Sequence, residues 1–302
     1  MKKLSVLVVA LVAVFGATVL PAAAVPTADL TALTALFPSD TAVLVAVRTD
    51  AGYVEALDSL IDRVNGAFSE PVIPMSLSAA LAEASSNMGG DFETVFGSWL
   101  GDTAVVGVDL SYALDDDSTN DYLAGLAAIQ ITDRAAAESF WSDAMSMNPD
   151  NVGYTVSEED GFTIYTPNTD GAQLDGTLPF AFADDYMLLG NLDIARSVES
   201  PLSDNAMFTD AMNALPNGDY NIAIYMDTVA LFEANIAMME NSNNSGINAM
   251  GNMDMLRSFG AMSGQIAIGF TIIDGRSLTI DAVSTSDMSA VAAALGMDCL
   301  LY

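Results

Sequence analysis

Ten short apolar segments, spaced along most of the chain, constrain the fold more than any other feature of the sequence. Each has the alternating or continuous apolar pattern of a β-strand, and they lie at Ala42–Arg48, Thr103–Leu110, Leu123–Ile131, Tyr154–Ser157, Thr163–Thr166, Phe180–Ala183, Tyr186–Gly190, Tyr220–Met226, Gln265–Ile273 and Ser277–Val283. Helical periodicity lies between several of them, at Tyr53–Phe68, Ser76–Ser86, Arg134–Met145, Leu192–Glu199, Val229–Glu240 and Met288–Ala294.

Turn and capping residues indicate how these segments connect. The sequences "EEDG", ending at Gly161, and "IDGR", around Gly275, are typical of tight turns between antiparallel strands. Asp133, Asp227 and Asp287 each stand where a strand passes into a helix, and a carboxylate there can accept from the unpaired N–H groups of the first helical turn. The pattern predicts an α+β fold with mainly antiparallel sheets and helices packed on one face.

The N-terminus has the layout of a secretory signal peptide. Lys2 and Lys3 precede an apolar run over Leu4–Leu20, and Pro21 and the small-residue site Ala22–Ala24 follow. An uncleaved membrane anchor is the alternative, but the helix-breaking proline before an A-x-A site favours cleavage. We therefore expect residues 1–24 to be removed and the mature protein to be secreted or extracytoplasmic, in the periplasm or at the cell surface of a bacterium, with no stable membrane span.

The two halves of the mature chain resemble each other. "FPSDTAVLVAVRTDAGYVEALDSLI", from Phe37, matches "LPNGDYNIAIYMDTVALFEANIAMM", from Leu215, in its turn, strand and helix pattern. Further on, residues 122–132 match residues 276–286 in the same way. The alternative is two unrelated strand-helix units of similar composition. The match predicts two related strand-helix-hairpin-helix units, over residues 25–205 and 206–302, of which the second is shortened.

The charge is strongly one-sided. The whole chain has 40 acidic residues, 8 basic residues, no histidine and a formal net charge of −32. Loss of Lys2 and Lys3 would remove two more positive charges and leave arginine as the only cation. Such a chain is not expected to bind nucleic acid, because phosphate binding requires a basic surface. Scattered aspartates without lysine are typical of a halophile-like surface, which needs salt to screen its self-repulsion.

Most catalytic chemistry is excluded by the missing side chains. Without histidine or lysine the mature chain cannot form a Ser-His-Asp triad, a Ser-Lys dyad or a Schiff base, and a single cysteine, Cys299, cannot form an intrachain disulfide or a thiolate cluster. Carboxylate chemistry remains, as in a glycan hydrolase with paired acids. Trp99 and Trp141 could stack on sugars, although their apolar surroundings favour core packing. We therefore expect no enzyme activity.

One acidic loop has the spacing of calcium ligands. Alternate oxygen-bearing side chains occur at Asp115, Asp117, Thr119 and Asp121. An EF-hand would require glycine where Asn120 stands and glutamate where Leu126 stands, so this is not an EF-hand. Solvation of an exposed hairpin loop is the favoured role, and calcium binding is the alternative.

Several motifs together resemble a known family. The signal peptide, "FPSDTAVLVAV", "GSWLGDTAVVGVDL", "AAIQITDRAAAESFW", "PFAFADDYMLLGNLDIARSVE" and "LPNGDYNIAIYMD" are similar to the secreted bacterial family known only as domain of unknown function 3352. The resemblance covers most of the chain from about Phe37 onward and rests on short, degenerate motifs. It implies an extracytoplasmic α+β protein and assigns no catalytic residue.

The sequence as a whole predicts a secreted, non-enzymatic module that binds an extracellular protein or glycan, or contributes to the cell envelope or an extracellular assembly. Calcium-dependent adhesion or folding through Asp-rich loops is the first alternative, and a carboxylate-based glycan hydrolase is a weaker one. No cofactor is predicted apart from possible calcium.

Overall fold

The computed structural model describes residues 31–68, 73, 75–87, 93–110, 125–146, 153–159, 161–168, 178–241, 264–273 and 275–285. Several predicted features lie outside these residues: the signal peptide over residues 1–24, the helix over Met288–Ala294 with its cap Asp287, the candidate calcium ligands Asp115, Asp117, Thr119 and Asp121, and Cys299.

All strands of the described chain belong to one antiparallel sheet. The strands are β1 (Val43–Arg48), β2 (Leu100–Val108), β3 (Gly125–Ile131), β4 (Tyr154–Glu159), β5 (Phe162–Pro167), β6 (Phe180–Phe182), β7 (Tyr186–Gly190), β8 (Ile222–Asp227), β9 (Gln265–Ile273) and β10 (Ser277–Ser284). Their order across the sheet is β10-β9-β8-β1-β2-β3-β7-β6-β5-β4, and every neighbouring pair is antiparallel. The predicted α+β class with antiparallel pairing is confirmed.

The helices occupy the connections between strands. They are α1 (Ala51–Gly66), α2 (Leu77–Asn87), α3 (Arg134–Ser146), α4 (Leu192–Arg196), α5 (Ala206–Asn213) and α6 (Thr228–Asn241), with 3₁₀ turns at Ala32–Leu36 and Leu202–Asp204 and a π turn at Glu93–Gly97. The sequence pattern did not predict α5. It is capped by Asn205, whose side-chain oxygen accepts from the backbone N–H of Met207 at 2.8 Å.

Helices cover both faces of the sheet, so the prediction of a single covered face is wrong. Side chains of one strand alternate between two apolar clusters: Leu188 of β7 belongs to the first cluster, and its neighbours Met187 and Leu189 belong to the second. Successive side chains of a strand point to opposite faces. The first cluster, on face A, includes buried residues of α4 and α5. The second, on face B, includes buried residues of α1, α3 and the π turn.

The physical reason lies in the central strands, where both alternating sets of side chains are apolar. In β3 both Ala128 of the first cluster and Ile129 of the second are at most 1% exposed. A strand that is apolar on both sides has to be covered on both sides. The continuous apolar runs in the sequence already indicate strands that are buried on both faces. The hairpin turns, by contrast, are typical of antiparallel sheets that are covered on one face.

The strand order is symmetric about the pairing of β1 with β8. Val45 lies opposite Ile224 at the centre of that pair, and outward from it β2 and β3 on one side correspond in position to β9 and β10 on the other. Strands from both predicted units therefore belong to the same sheet. The duplication itself stays a prediction.

On each side of the β1–β8 pair, a buried aromatic ring packs directly against a glycine of the next strand. Gly107 of β2 lies beneath the ring of Phe37, and Gly269 of β9 lies beneath the ring of Tyr220, so that a Cβ at either glycine would collide with the ring. Both rings are fully buried. The alignment of the two halves by sequence matched Phe37 with Leu215. The contacts with glycine instead match Phe37 with Tyr220.

The predicted caps and turns within the described residues are confirmed. Asp133 accepts from the N–H of Ala136 at 3.0 Å, and Asp227 accepts from the N–H of Val229 at 3.0 Å. Gly275 closes the β9–β10 hairpin with φ +60°, a conformation that glycine adopts without strain. Within the described residues, no helix is both long enough and apolar enough to cross a membrane.

Candidate functional site

A polar cluster that joins three elements is centred on Arg134, the first residue of α3. Its Nε donates to Glu138 Oε1 at 2.8 Å, and its Nη1 donates to Asp184 Oδ1 at 3.3 Å. Its Nη2 donates to the hydroxyl of Thr163 on β5. The hydrogen bond with Glu138, which is stronger when the guanidinium is charged, raises the pKa of Arg134 above its usual value.

Thr163 links this arginine to a second carboxylate. Its hydroxyl accepts from Arg134 and donates to Glu158 Oε1 at 2.6 Å. Glu158 and Thr163 are directly opposed residues of the β4–β5 hairpin, so the hairpin register fixes this contact. Two carboxylates on different elements, Glu138 and Glu158, are thereby connected through one guanidinium and one hydroxyl.

Next to these charges lies a group of aromatic rings arranged around Phe180 of β6. Tyr165 stacks on Phe180 with ring centroids 4.6 Å apart, and Trp141 of α3 stacks on it at 5.3 Å. Tyr154 of β4 meets the same ring edge-on at 5.2 Å. Phe180 is 1% exposed, whereas the three surrounding rings are half-buried. The packing fixes Phe180 in the core and holds three amphipathic side chains at the surface.

The charges and the rings belong to one surface, which we call the Arg134 patch: Arg134, Glu138, Trp141, Tyr154, Glu158, Thr163 and Tyr165. Burial raises the pKa of the Tyr165 hydroxyl, and the negative charge of Glu138 raises it further. The indole Nε1 of Trp141 is buried and has no hydrogen-bond partner in the described structure. An unpaired buried N–H costs free energy, and the described structure does not compensate this one.

The arrangement has features of a binding surface. Both carboxylates accept hydrogen bonds, Glu138 from the guanidinium of Arg134 and Glu158 from the hydroxyl of Thr163. Half-buried tyrosine and tryptophan rings offer apolar faces with polar edges, as is usual in binding sites.

The residues singled out from the sequence are only partly brought together here. Trp99 is 2% exposed and its Nε1 donates to the carbonyl of Val95 at 2.8 Å, so its predicted core role is confirmed. Trp141 lies in the Arg134 patch. No group of three or more acidic or cysteine side chains that could hold a metal ion occurs among the residues that the structure describes.

Sequence reasoning missed Arg134, Glu138, Glu158 and Thr163. Two signals could have found them. Arg134 and Glu138 have the i,i+4 spacing at which side chains of a helix meet, and the turn ending at Gly161 implies that Glu158 opposes Thr163.

A buried charge lies at the end of β1. Arg48 is 3% exposed, and its Nε and Nη2 donate to Asp50, which also caps α1 by accepting from Tyr53 N at 3.3 Å. Its Nη1 is buried with no partner in the described structure. The pair joins the central strand to the following helix and lies away from the aromatic group.

Comparisons with known proteins give little further information. No protein-family model matches this chain, and no curated protein sequence matches it. Among solved structures it is similar to two crystal forms of TP0453. Form I aligns with a TM-score of 0.35 and 8% identity, over 87% of this chain and 85% of that chain, and form III with a TM-score of 0.32 and 9% identity, over 87% of this chain and 97% of that chain. Likenesses this low carry no argument about fold or function.

Proposed function

We propose that this protein is a non-enzymatic binding module that acts outside the cytoplasm, in the cell envelope or an extracellular assembly, and that the Arg134 patch is its binding surface. The observation that carries the proposal is the position of three half-buried aromatic rings beside two carboxylates on one surface. The predicted signal peptide supports the location.

Binding rather than catalysis is supported by the side chains that the chain lacks. The mature sequence has no histidine and no lysine, and the acids of the patch accept hydrogen bonds from Arg134 and Thr163. In the structure these contacts give Glu138 and Glu158 defined positions. A preformed surface binds with a smaller loss of conformational entropy than a mobile one.

The chemistry of the patch favours a neutral or cationic ligand that presents hydroxyl or N–H groups. Carboxylate oxygens accept from such groups, and the ring faces of Trp141 and Tyr165 provide stacking surface. The formal net charge of −32 repels polyanions. An extracellular glycan or a protein segment meets these requirements, and nucleic acid does not.

The proposal can be tested with purified residues 25–302 on an array of neutral, basic and acidic glycans and on an array of basic and neutral peptides. The test variant is the double substitution Glu138→Gln and Glu158→Gln, with Trp141→Phe as a separate variant that removes the indole N–H together with part of the ring's stacking surface. The control is Glu55→Gln on α1, an exposed acid outside the patch. We expect the patch variants to lose binding and the control to retain it.

Two results would refute the proposal. Binding that survives both patch variants would place the ligand elsewhere. Turnover in a broad hydrolase panel, abolished by a single Glu138→Gln or Glu158→Gln change, would favour the glycan hydrolase instead.

The second candidate function is calcium-dependent folding or adhesion, favoured by the ligand-like spacing of Asp115, Asp117, Thr119 and Asp121. Thermal unfolding with micromolar calcium, with magnesium and with chelator, all at one ionic strength, tests it. A specific site requires that calcium alone raises the Tm and that combined Asp→Asn changes at positions 115, 117 and 121 abolish the rise. Equal effects of magnesium or sodium would show screening only.

A further inference from the structure

The two edge strands of the sheet differ in charge and in apolar exposure, and the difference indicates that one edge can pair with another chain. The strand at one edge, β4, carries Glu158 and Glu159 and is exposed along most of its length. The strand at the other edge, β10, exposes the apolar side chains of Leu278 (46%) and Ile280 (57%). Charged residues on an edge strand prevent pairing with other chains, and an apolar edge permits it.

The outward-facing backbone groups of β10 follow from its pairing with β9. Thr285 N donates to the carbonyl of Gln265 at 3.0 Å, so residue 285 directs its N–H inward. Because inward and outward groups alternate along an antiparallel strand, the even-numbered residues Leu278, Ile280 and Ala282 direct theirs outward. Within the described parts of the chain, β10 pairs with β9 alone.

The strand that corresponds to β10 on the other side of the β1–β8 pair has a partner on its outer side. Counting outward from the β1–β8 pair, β10 has the same place as β3, and β3 pairs on its outer side with β7. The sheet therefore continues past the third strand on one side, whereas β10 is the last described strand on the other.

We propose that the outer edge of β10 pairs antiparallel with β10 of a second copy of this chain, so that one sheet runs through a symmetric dimer. With the two-fold axis at Ile280, Ile280 lies opposite its own copy and Leu278 lies opposite Ala282 of the other copy. One face of the contact is thus apolar over residues 278–282.

Charge supports a second copy at this edge. In a chain of net charge −32, β10 contains one ionisable residue, Asp281. Its carboxylate is on the opposite face from Ile280 and accepts from Asn217 and, at 3.0 Å, from the Tyr220 hydroxyl. Two copies can therefore meet along β10 without opposed free carboxylates. The remaining repulsion between the two acidic bodies is long-range, so salt should strengthen the dimer.

The test is sedimentation velocity of residues 25–302 at low and high NaCl. We expect a monomer–dimer equilibrium that shifts toward dimer with salt. Ile280→Pro removes an outward N–H in each copy and keeps the pairing with β9, because proline is tolerated where an edge N–H faces solvent. It should raise the dimer dissociation constant about tenfold or more, because two hydrogen bonds between the copies are lost.

A matched control exists at the other edge. Val156 of β4 is 54% exposed, and its N–H also points outward, because the neighbouring inward pair joins Asn168 N to Gly153 O at 3.0 Å. Val156→Pro should leave the dimer unchanged. If Ile280→Pro impairs folding, Ile280→Glu provides the second variant, since it places two carboxylates opposite each other at an exposed position.

The position of the axis can be checked by cross-linking. Ile280→Cys in a Cys299→Ser background should form a disulfide between copies, because directly opposed residues of paired strands lie within disulfide range. A protein that is monomeric at every salt and concentration would overturn the proposal. A dimer that persists in both Ile280→Pro and Ile280→Glu would overturn it as well.

Discussion

Replacing Gly269 by alanine should destabilise the protein by a large and calculable amount. The added Cβ would lie 2.6 Å from Cζ of the Tyr220 ring and closer still to two other ring atoms. Carbon atoms in ordinary contact are about 3.5–4.0 Å apart, so the ring would have to retreat by about 1 Å or more.

The ring has little freedom to retreat. Tyr220 is fully buried, and its hydroxyl accepts from Asn217 N at 3.0 Å and donates to Asp281 at 3.0 Å. Overpacking costs about 1–3 kcal/mol, and each hydrogen bond lost costs about 1 kcal/mol. The expected loss of unfolding free energy is therefore about 2–4 kcal/mol.

Urea titration at fixed high salt measures this loss. The control is Gly218→Ala, where a Cβ meets nothing within 4 Å, and its effect should be small. The double variant with Tyr220→Leu removes the collision, so its loss should be less than the sum of the two single losses. If Gly269→Ala unfolds within about 0.5 kcal/mol of the parent, or if the two single losses are additive, the collision with the ring is not what limits this position.

The remaining predictions concern a buried charge, alkaline pH and net charge. Asp50→Ala leaves the guanidinium of Arg48 buried without its partner and should cost about 3–5 kcal/mol, whereas Arg48→Met should cost less, because the Asp50 side chain is 15% exposed and still caps α1; equal losses in urea titrations would contradict this. Burial raises the pKa of Tyr53 from 10.0 to about 12, so the folded state keeps a proton that the unfolded chain loses. Stability should therefore fall as pH rises from about 10 to about 12, and less steeply in Tyr53→Phe; an identical slope in the variant would count against it. Because the formal net charge is −32, Tm should rise with NaCl as the Debye length shortens, and a Tm independent of salt would show that self-repulsion is unimportant.

The positions of the strands could be predicted from the sequence because each one is a short apolar run bounded by turn residues. Tyr186–Gly190 and Gln265–Ile273 were predicted with the bounds that the structure has. Helix α5 was missed because its eight residues, Ala206–Asn213, are too few to show clear periodicity. Its cap, Asn205, was the available signal.

The order of the strands could not be predicted because it depends on contacts between distant segments. Nothing local in β1 indicates that its two neighbours will be β2 and β8. The Arg134 patch could not be predicted for the same reason. Arg134 and Glu138 lie four residues apart on one helix, but the contact of Arg134 with Thr163 depends on the packing of α3 against β5. Such a site becomes visible only after the elements have been assembled.

The pairing at the centre of the sheet also governs how the chain can fold. Val47 pairs with Ile222, so β1 cannot complete its pairing until a strand far along the chain is present. Pairing between such distant segments is slow. A first half that folded alone during synthesis would expose "VLVAVR" as an unpaired apolar edge, which is prone to aggregate. Export of the chain before folding, as the predicted signal peptide implies, would let both partner strands arrive in the same compartment before the first half closes.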